Sequence, residues 1–326
     1  MSLMMNGKLQ KDWLASETEA GKFVRKESQF RNWITVDGSP GPSGSGGFTA
    51  QPDRYHLYVS LACPWAHRTL IFRKLKELED LITVSVVHPH MGDAGWQFAD
   101  FSGSTPDMLF GFDYLHQVYT QAQADYTGIV TVPVLWDKQQ QTIVNNESSE
   151  IIRMFNSAFD QITGNDADYY PAPLRPEIDI INQMVYDSVN DGVYRCGFAT
   201  TQVAYEESFD RLFAGLDELE QRLAAQRYLV GNRITEADWR LLTTLLRFDP
   251  VYYSHFKCNL RRIIDYPNLF GYLCDLYQRP AVIETFDINQ VKHHYYTSHD
   301  FLNPSGIVPK GPALNYDLPH DRDRLS

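Results

Sequence analysis

Tyr55-His56-Leu57-Tyr58-Val59-Ser60-Leu61-Ala62-Cys63-Pro64-Trp65-Ala66-His67-Arg68 is the stretch that decides the fold. Residues Tyr55 to Ser60 alternate as a short strand does, and Trp65, Leu70, Ile71 and Leu75 then follow helical spacing. Cys63 sits where the strand turns into the helix, beside unpaired backbone N–H groups and the positive end of the helix dipole. Pro64 suits the first helical turn, where no N–H is needed. A thiol placed there is expected to have a lowered pKa and to be a usable thiolate near neutral pH. Ala66 occupies the position of a second cysteine, so this is a one-thiol site.

Working outward, a second strand is predicted over Ile82 to Val87, which closes a βαβ unit with parallel strands and a right-handed crossover. A long segment from His88 to Gly128 follows, with Gly95-Trp96 and a short helix near Tyr114 to Gln121; connections of this length are commonly functional insertions. Val132 to Trp136 and Thr142 to Val144 read as two more strands, and a helix begins at Ser148 or Ser149 and runs through Ile151, Ile152 and Phe155. The order βαβ, insertion, ββα is a thioredoxin-like layer, an α/β domain assigned to residues 51–160. Residues 1–50 read as an irregular extension with a Gly/Pro/Ser loop from Gly38 to Gly47, and 161–175 as a polar, Pro-rich linker. Residues 176–295 read as an all-α domain, with helical spacing over Ile178 to Val189, Ala204 to Leu223, Glu236 to Phe248 and Leu269 to Tyr277. Thr235 to Asp238 resembles a capping box with Asp in place of Glu. Residues 296–326 read as a tail that wraps the surface.

At 326 residues the chain has room for two domains, and 43% hydrophobic with 21% charged residues is an ordinary globular balance. A net charge of −12 argues against nucleic acid or an anionic membrane as partner. Cys63, Cys196, Cys258 and Cys274 lie far apart without metal-like pairing, which suits a reducing compartment; no metal site is expected. With no apolar run of signal-peptide or membrane-span length, the expected location is the cytoplasm.

Two further elements belong with the thiol. In thioredoxin-like layers the bond corresponding to Val132-Pro133 is typically cis and lies beside the active cysteine, so that the backbone of Val132 can pair with an extended peptide ligand. Glu147-Ser148 opens the next helix, where N–H groups and the Ser148 hydroxyl face an arriving anion. Strand, cysteine, X-Pro and Glu-Ser in that order point to glutathione: its cysteine at Cys63, its backbone at Val132, its γ-glutamyl end at Glu147 and Ser148.

Cys-Pro-Trp-Ala-His-Arg at 63–68, Gly-Trp at 95–96, Thr-Val-Pro-Val-Leu-Trp-Asp at 131–137 and Asn-Glu-Ser at 146–148 resemble the glutathionyl-hydroquinone reductases, the xi class of the glutathione transferase superfamily. Asn-Asp-Gly-Val-Tyr-Arg-Cys-Gly-Phe-Ala (190–199), Arg-Phe-Asp-Pro-Val-Tyr (247–252) and His-Tyr-Tyr-Thr-Ser-His (294–299) extend the likeness from about residue 20 to past 310. The resemblance implies a thioredoxin-like N-terminal domain, an all-helical C-terminal domain and a homodimer. It implies that Cys63 takes the glutathione from a glutathionyl-hydroquinone and that a second glutathione, as co-substrate, resolves the mixed disulfide. It also implies Tyr194 as proton donor to the leaving carbon, with Tyr252 and Tyr295, rather than their neighbours Tyr253 and Tyr296, donating hydrogen bonds to the sulfur and lowering its pKa. Trp96 is implied to press on bound glutathione, and Ile129, Val130, Thr131, Val132 and Pro133 to line it. Ile129 departs from the family pattern, which favours a basic residue. Two other readings share parts of this pattern: an omega-like thioltransferase or dehydroascorbate reductase, and a non-catalytic binding module that keeps the fold.

Overall fold

The computed structural model describes residues 2–10 and 13–325. Its centre is a four-stranded sheet of β3 (Tyr55–Val59), β4 (Ile82–Val86), β6 (Val134–Asp137) and β7 (Thr142–Asn145), in the order β4-β3-β6-β7. β3 runs parallel to β4, with Tyr55 opposite Ile82 and Val59 opposite Val86, and antiparallel to β6. That is the expected βαβ–ββα layer. Every residue of β3 is buried, because helices and the insertion cover both faces, so the alternation read from Tyr55 to Ser60 does not mark a solvent face. His56 is accommodated by the hydroxyls of Thr83 and Ser85 at 2.7 and 2.9 Å, and burial pushes its pKa down to about 4.

Helix α1 (Pro64–Leu75) crosses over from β3 and packs against both α3 (Ser148–Ser157) and α7 (Glu236–Arg247). It thereby joins the layer to the helical domain, whose other main helices are α4 (Arg175–Val185), α5 (Gly192–Gly197), α6 (Gln202–Ala225), α8 (Pro267–Tyr277) and α9 (Ile288–Ser298). Two π-helical turns, Tyr186–Asn190 and Phe248–Tyr252, continue α4 and α7 toward the cleft between the domains. Such turns recur at functional sites.

Three boundaries differ from the sequence expectation. The extension 1–50 is not wholly irregular: β1 (Ser2–Met5) and β2 (Lys8–Gln10) form a second sheet with β5 (Gly128–Val130), in the order β2-β1-β5. These strands are too short to show a periodic signal, and they depend on a partner more than 120 residues away. The helical domain does not stop at 295, since α9 runs on through Ser298. The tail is more than a surface wrap: Arg322 is fully buried and donates to the carbonyls of Leu223, Gln226 and Arg227, which caps the end of α6. Among the described residues no helix is long and apolar enough to cross a membrane, and no cluster of His, Cys, Asp and Glu is arranged to hold a metal ion.

Candidate active site

Cys63 is the N-cap of α1, with extended φ/ψ of −75° and 123°, and its carbonyl accepts the first helical hydrogen bond from His67. The loop before it is held from the other domain. Arg247, at the end of α7, donates to Ala62 O at 2.7 Å, Leu61 O at 3.0 Å and Thr243 O at 2.8 Å. The Val132–Pro133 bond is cis, and the Cys63 thiol donates to the Val132 carbonyl at a sulfur–oxygen distance of 3.6 Å.

Two cavities adjoin beside this thiol, which lines the smaller one. The larger, of about 540 Å³, takes in Arg68, Ile129, Thr131, Val132, Pro133, Glu147 and Ser148 on the thioredoxin-like side, with Arg240 and Asn182 of the helical domain opposite; its charged and polar groups make it the polar cavity. Its volume lies in the range of small-molecule sites. The smaller, of about 60 Å³, is mainly aromatic and holds Cys63, Trp96, Tyr194, Phe198, Tyr295 and His299. Thr131, Val132, Trp65 and Arg25 line both.

Glu147, not Ser148, is the N-cap of α3: its carboxylate accepts from Ser149 N at 3.0 Å and Ser149 Oγ at 2.9 Å. Burial works against this carboxylate, but the Ser149 N–H and hydroxyl, aided by Arg68 and Arg240, hold its pKa below the usual range. Ser148 is the first helical residue, and its hydroxyl accepts from Arg68 Nη1 at 3.5 Å. Arg68 is itself depressed to about 9 by burial and by the neighbouring Arg240 charge. The Nε atoms of both are buried without a hydrogen-bond partner among the described residues. This end of the cavity therefore offers fixed positive charge, a helix N-terminus and one carboxylate, a set complementary to an α-amino acid end group.

The aromatic end is organised by a row of hydroxyls. Tyr194 Oη lies 2.6 Å from Tyr295 Oη, which lies 3.0 Å from Tyr252 Oη. Tyr194 comes from α5, Tyr295 from α9 and Tyr252 from the π-helical turn after α7. Tyr296 bonds instead to Ser254 and to the Pro250 carbonyl, and Tyr253 is only partly buried outside this row. Burial pushes the Tyr194 hydroxyl up to about 12, the proximity of Cys63 adds to the rise, and hydrogen bonds from Tyr295 and Tyr252 oppose it. Trp96 stacks on His294, with ring centres 4.8 Å apart, and the His294 ring bonds the Pro89 carbonyl at 2.8 Å, so α9 fixes the loop that carries the indole.

Several sequence expectations change. Burial is the largest influence on the Cys63 thiol and raises its pKa; the Ala66 and Trp65 N–H groups, Arg247 and Arg25 only partly offset it. The helix N-terminus acts as expected, but the sequence does not show how completely the helical domain covers the sulfur. Tyr252 and Tyr295 bond to each other rather than to the sulfur, and Tyr252 lines neither cavity, being fully buried behind Tyr295. Val130 also lines neither cavity: its side chain is in the core and its backbone is opposite Ser2 in the second sheet. Ile129, opposite Leu3 in that sheet, reaches the polar cavity but brings no charge. Thr131 is held by Tyr119, whose hydroxyl donates to the Thr131 carbonyl at 2.9 Å. Sequence reasoning missed Arg25 and Arg247, which reach the site from far along the chain.

The comparisons with known proteins agree with this geometry. The profile for the glutathione S-transferase N-terminal domain matches residues 62–158, and that for the C-terminal domain matches 202–273. The chain is 55% identical over 324 residues, 99% of each chain, to glutathionyl-hydroquinone reductase YqjG of Escherichia coli K12. It is 53% identical to glutathionyl-hydroquinone reductase PcpF of Sphingobium chlorophenolicum, over 96% of this chain and 97% of that one. The glutathione-bound structure of YqjG from Escherichia coli K-12 superposes with a TM-score of 0.91 over 98% of this chain and 99% of its own. The xi glutathione transferase of Phanerochaete chrysosporium superposes with a TM-score of 0.87 at 52% identity, over 92% of this chain and 96% of its own. Sequence, fold and cavity geometry agree, and the chain belongs to the xi class of the glutathione transferase superfamily, the family of the glutathionyl-hydroquinone reductases.

Proposed function

We propose that this protein reduces glutathionyl-hydroquinones to hydroquinones at the expense of glutathione. The observation that carries the reading is the position of Cys63: its thiol lies on the Val132 carbonyl where the polar cavity meets the aromatic one. A peptide thioether can lie along Thr131–Pro133, with its γ-glutamyl end at Glu147, Ser148 and Arg68, and present its sulfur to Cys63. The aryl group then enters the aromatic side, where the Tyr194 hydroxyl waits.

The Cys63 thiolate attacks the glutathione sulfur. A sulfur–sulfur bond forms, the carbon–sulfur bond breaks with its electron pair kept by the ring, and the ring carbon gains a proton from Tyr194. The carbon is reduced, and the two sulfurs are oxidised to a Cys63–glutathione disulfide. A second glutathione thiolate attacks the glutathione sulfur of that disulfide, which releases oxidised glutathione and restores Cys63; free glutathione takes the part of a resolving cysteine. In this reading Tyr295 and Tyr252 are positioning residues that set the Tyr194 hydroxyl, and Trp96, Ile129, Thr131, Val132, Pro133, Glu147 and Ser148 line the glutathione. Val130 acts only by holding that segment in its sheet. The reading includes a homodimer and a cytoplasmic location.

Mass spectrometry after mixing with a glutathionyl-hydroquinone tests the chemistry. The expected result is one glutathione adduct on Cys63 with release of free hydroquinone, and no turnover by Cys63→Ala, which still binds S-methylglutathione. Turnover by Cys63→Ala overturns the mechanism. A kcat/KM for dehydroascorbate or a glutathione mixed disulfide exceeding that for the glutathionyl-hydroquinone favours the omega-like assignment instead.

A further inference from the structure

Among the described residues of the N-terminal extension, Arg25 alone lines both cavities, together with Trp65. Its guanidinium carbon lies 4.6 Å from the centre of the Trp65 ring and 5.6 Å from that of Tyr194, both within cation–π range. Its Nε is 3.5 Å from Asp191 Oδ1, and Asp191 is held in turn by Arg195 at 2.7 Å. The stem is therefore tethered and the plane is set by two rings. The two outer nitrogens make no hydrogen bond among the described residues, and the side chain keeps 23% of its exposure. A cation oriented in this way beside a reacting centre, with its fork unused, lacks only an anionic or oxygen-rich partner.

The smaller cavity indicates what that partner is. At about 60 Å³ it is well short of the ~150 Å³ that holds a benzene ring in an apolar cavity, so an aryl group joined to sulfur at Cys63 stays partly in the mouth, against Trp65 and Arg25. We propose that Arg25 binds an ionised ring oxygen of the aryl substrate and so selects phenolic thioethers over other glutathione conjugates; this rests on the reading of the reaction given above. A ring oxygen ortho or para to the sulfur-bearing carbon, once ionised, donates electron density to that carbon. Tyr194 transfers its proton there, which converts the ring to a dienone. Attack of the Cys63 thiolate on sulfur then sends the carbon–sulfur pair back into the ring and returns the charge to the oxygen beside Arg25. The Tyr194 oxygen is reprotonated from solvent, so one thioether phenolate, one thiolate and one proton give one hydroquinone phenolate and one mixed disulfide.

The test compares two substrates that share the glutathione site and Cys63 but differ in the ring: a glutathionyl-hydroquinone and the mixed disulfide of glutathione with 2-mercaptoethanol. Arg25→Gln is expected to lower kcat/KM for the hydroquinone thioether about 100-fold, as loss of one preorganised charge partner does, while the loss on the disulfide stays within about threefold. Arg25→Lys, which keeps the charge but not the planar fork, should fall between wild type and Arg25→Gln on the thioether, and it carries the test if the Gln variant does not fold. Equal losses on both substrates would mean that Arg25 serves glutathione or the fold, and no loss on either would mean that it is idle; both overturn the proposal. A wild-type enzyme that turns over only the disulfide overturns the reading of the reaction itself, a separate result visible before any variant is made.

Discussion

Arg247 donates from Nε to the carbonyl oxygen of Ala62 at 2.7 Å, one residue ahead of Cys63, so a helix of the second domain holds the loop that aims the nucleophile of the first. The same guanidinium reaches Leu61 O and Thr243 O and approaches His67, which burial and the Arg247 charge keep neutral. Arg247→Met removes the donor of the Ala62 and Leu61 carbonyls, whereas the Thr243 carbonyl, one turn back on the same helix, keeps its backbone bond. Each carbonyl left without its donor costs roughly 1–3 kcal/mol, so a loss of about 2 kcal/mol or more is expected in chemical denaturation. Activity should fall further than the folded fraction accounts for, because the Cys63 loop loses its anchor; a variant with wild-type stability and turnover would show the anchor to be idle.

The row Tyr252–Tyr295–Tyr194 makes a second prediction. Tyr295 stabilises the ionised form of Tyr194 by hydrogen bonding, while no tyrosine in the row bonds the sulfur. Tyr295→Phe should therefore leave the pH profile of Cys63 alkylation unchanged and slow the step in which the ring carbon is protonated. A fall in kcat of about 10-fold is expected, with Tyr194→Phe nearer 100-fold, the lower end of what general acids contribute. If instead the alkylation profile of Tyr295→Phe moves to higher pH, the tyrosines act on the thiol.

Burial dominates at Cys63, and the sign of the consequence is opposite to the usual picture of a low-pKa cysteine. The anion is the reactive form and burial disfavours it, so the thiolate fraction at neutral pH is lower than for an exposed thiol and rises as pH rises. Iodoacetamide labelling of the substrate-free protein should accelerate through a midpoint above the ordinary value of 9.0. A thiolate of high pKa is also the stronger nucleophile, which suits a reaction that breaks a carbon–sulfur bond rather than a disulfide. A labelling midpoint below 8 would mean that the helix N-terminus and the two arginines outweigh burial.

What was legible in the sequence was local. Cys-Pro at the end of a strand, Val-Pro ahead of another and Glu-Ser at a helix start each carry their meaning within a few residues, and the structure brings Cys63, Val132 and Glu147 to adjoining cavities. The helices of the second domain were equally readable, because their apolar faces repeat. Arg25 and Arg247 were not, since a lone arginine in an irregular stretch or at a helix end looks like any solvated charge until the fold brings it to the thiol. Val130 was misread because β1, its partner, has no periodicity of its own; Ser2 and Leu3 become a strand only by pairing with β5. The direction of the Cys63 shift was misread for a similar reason: the dipole is a property of α1, whereas burial is a property of both domains together.

Asp238 provides a test of the helical domain by itself. It is fully buried at the third position of α7, accepting from Thr235 N at 2.8 Å, Thr235 Oγ1 at 3.1 Å, Leu229 N at 2.9 Å and Tyr272 Oη at 2.9 Å. Burial nonetheless outweighs these donors and raises its pKa from 3.8 to about 6. Between those values the folded protein holds a proton that the unfolded chain has already released, so the contribution of Asp238 to stability is complete below pH 4 and is lost as pH rises toward 6. The shift of about two units corresponds to roughly 3 kcal/mol at most. Other carboxylates, Glu147 and Asp275 among them, have lowered pKa values and act in the opposite direction, so the quantity to measure is the difference between wild type and Asp238→Asn in unfolding free energy. That difference should move against the wild type by about 2–3 kcal/mol between pH 4 and pH 6 and then stay flat to pH 8. A flat difference across pH 4–6, or one that moves in favour of the wild type, would show that the four donors hold the carboxylate ionised in the fold.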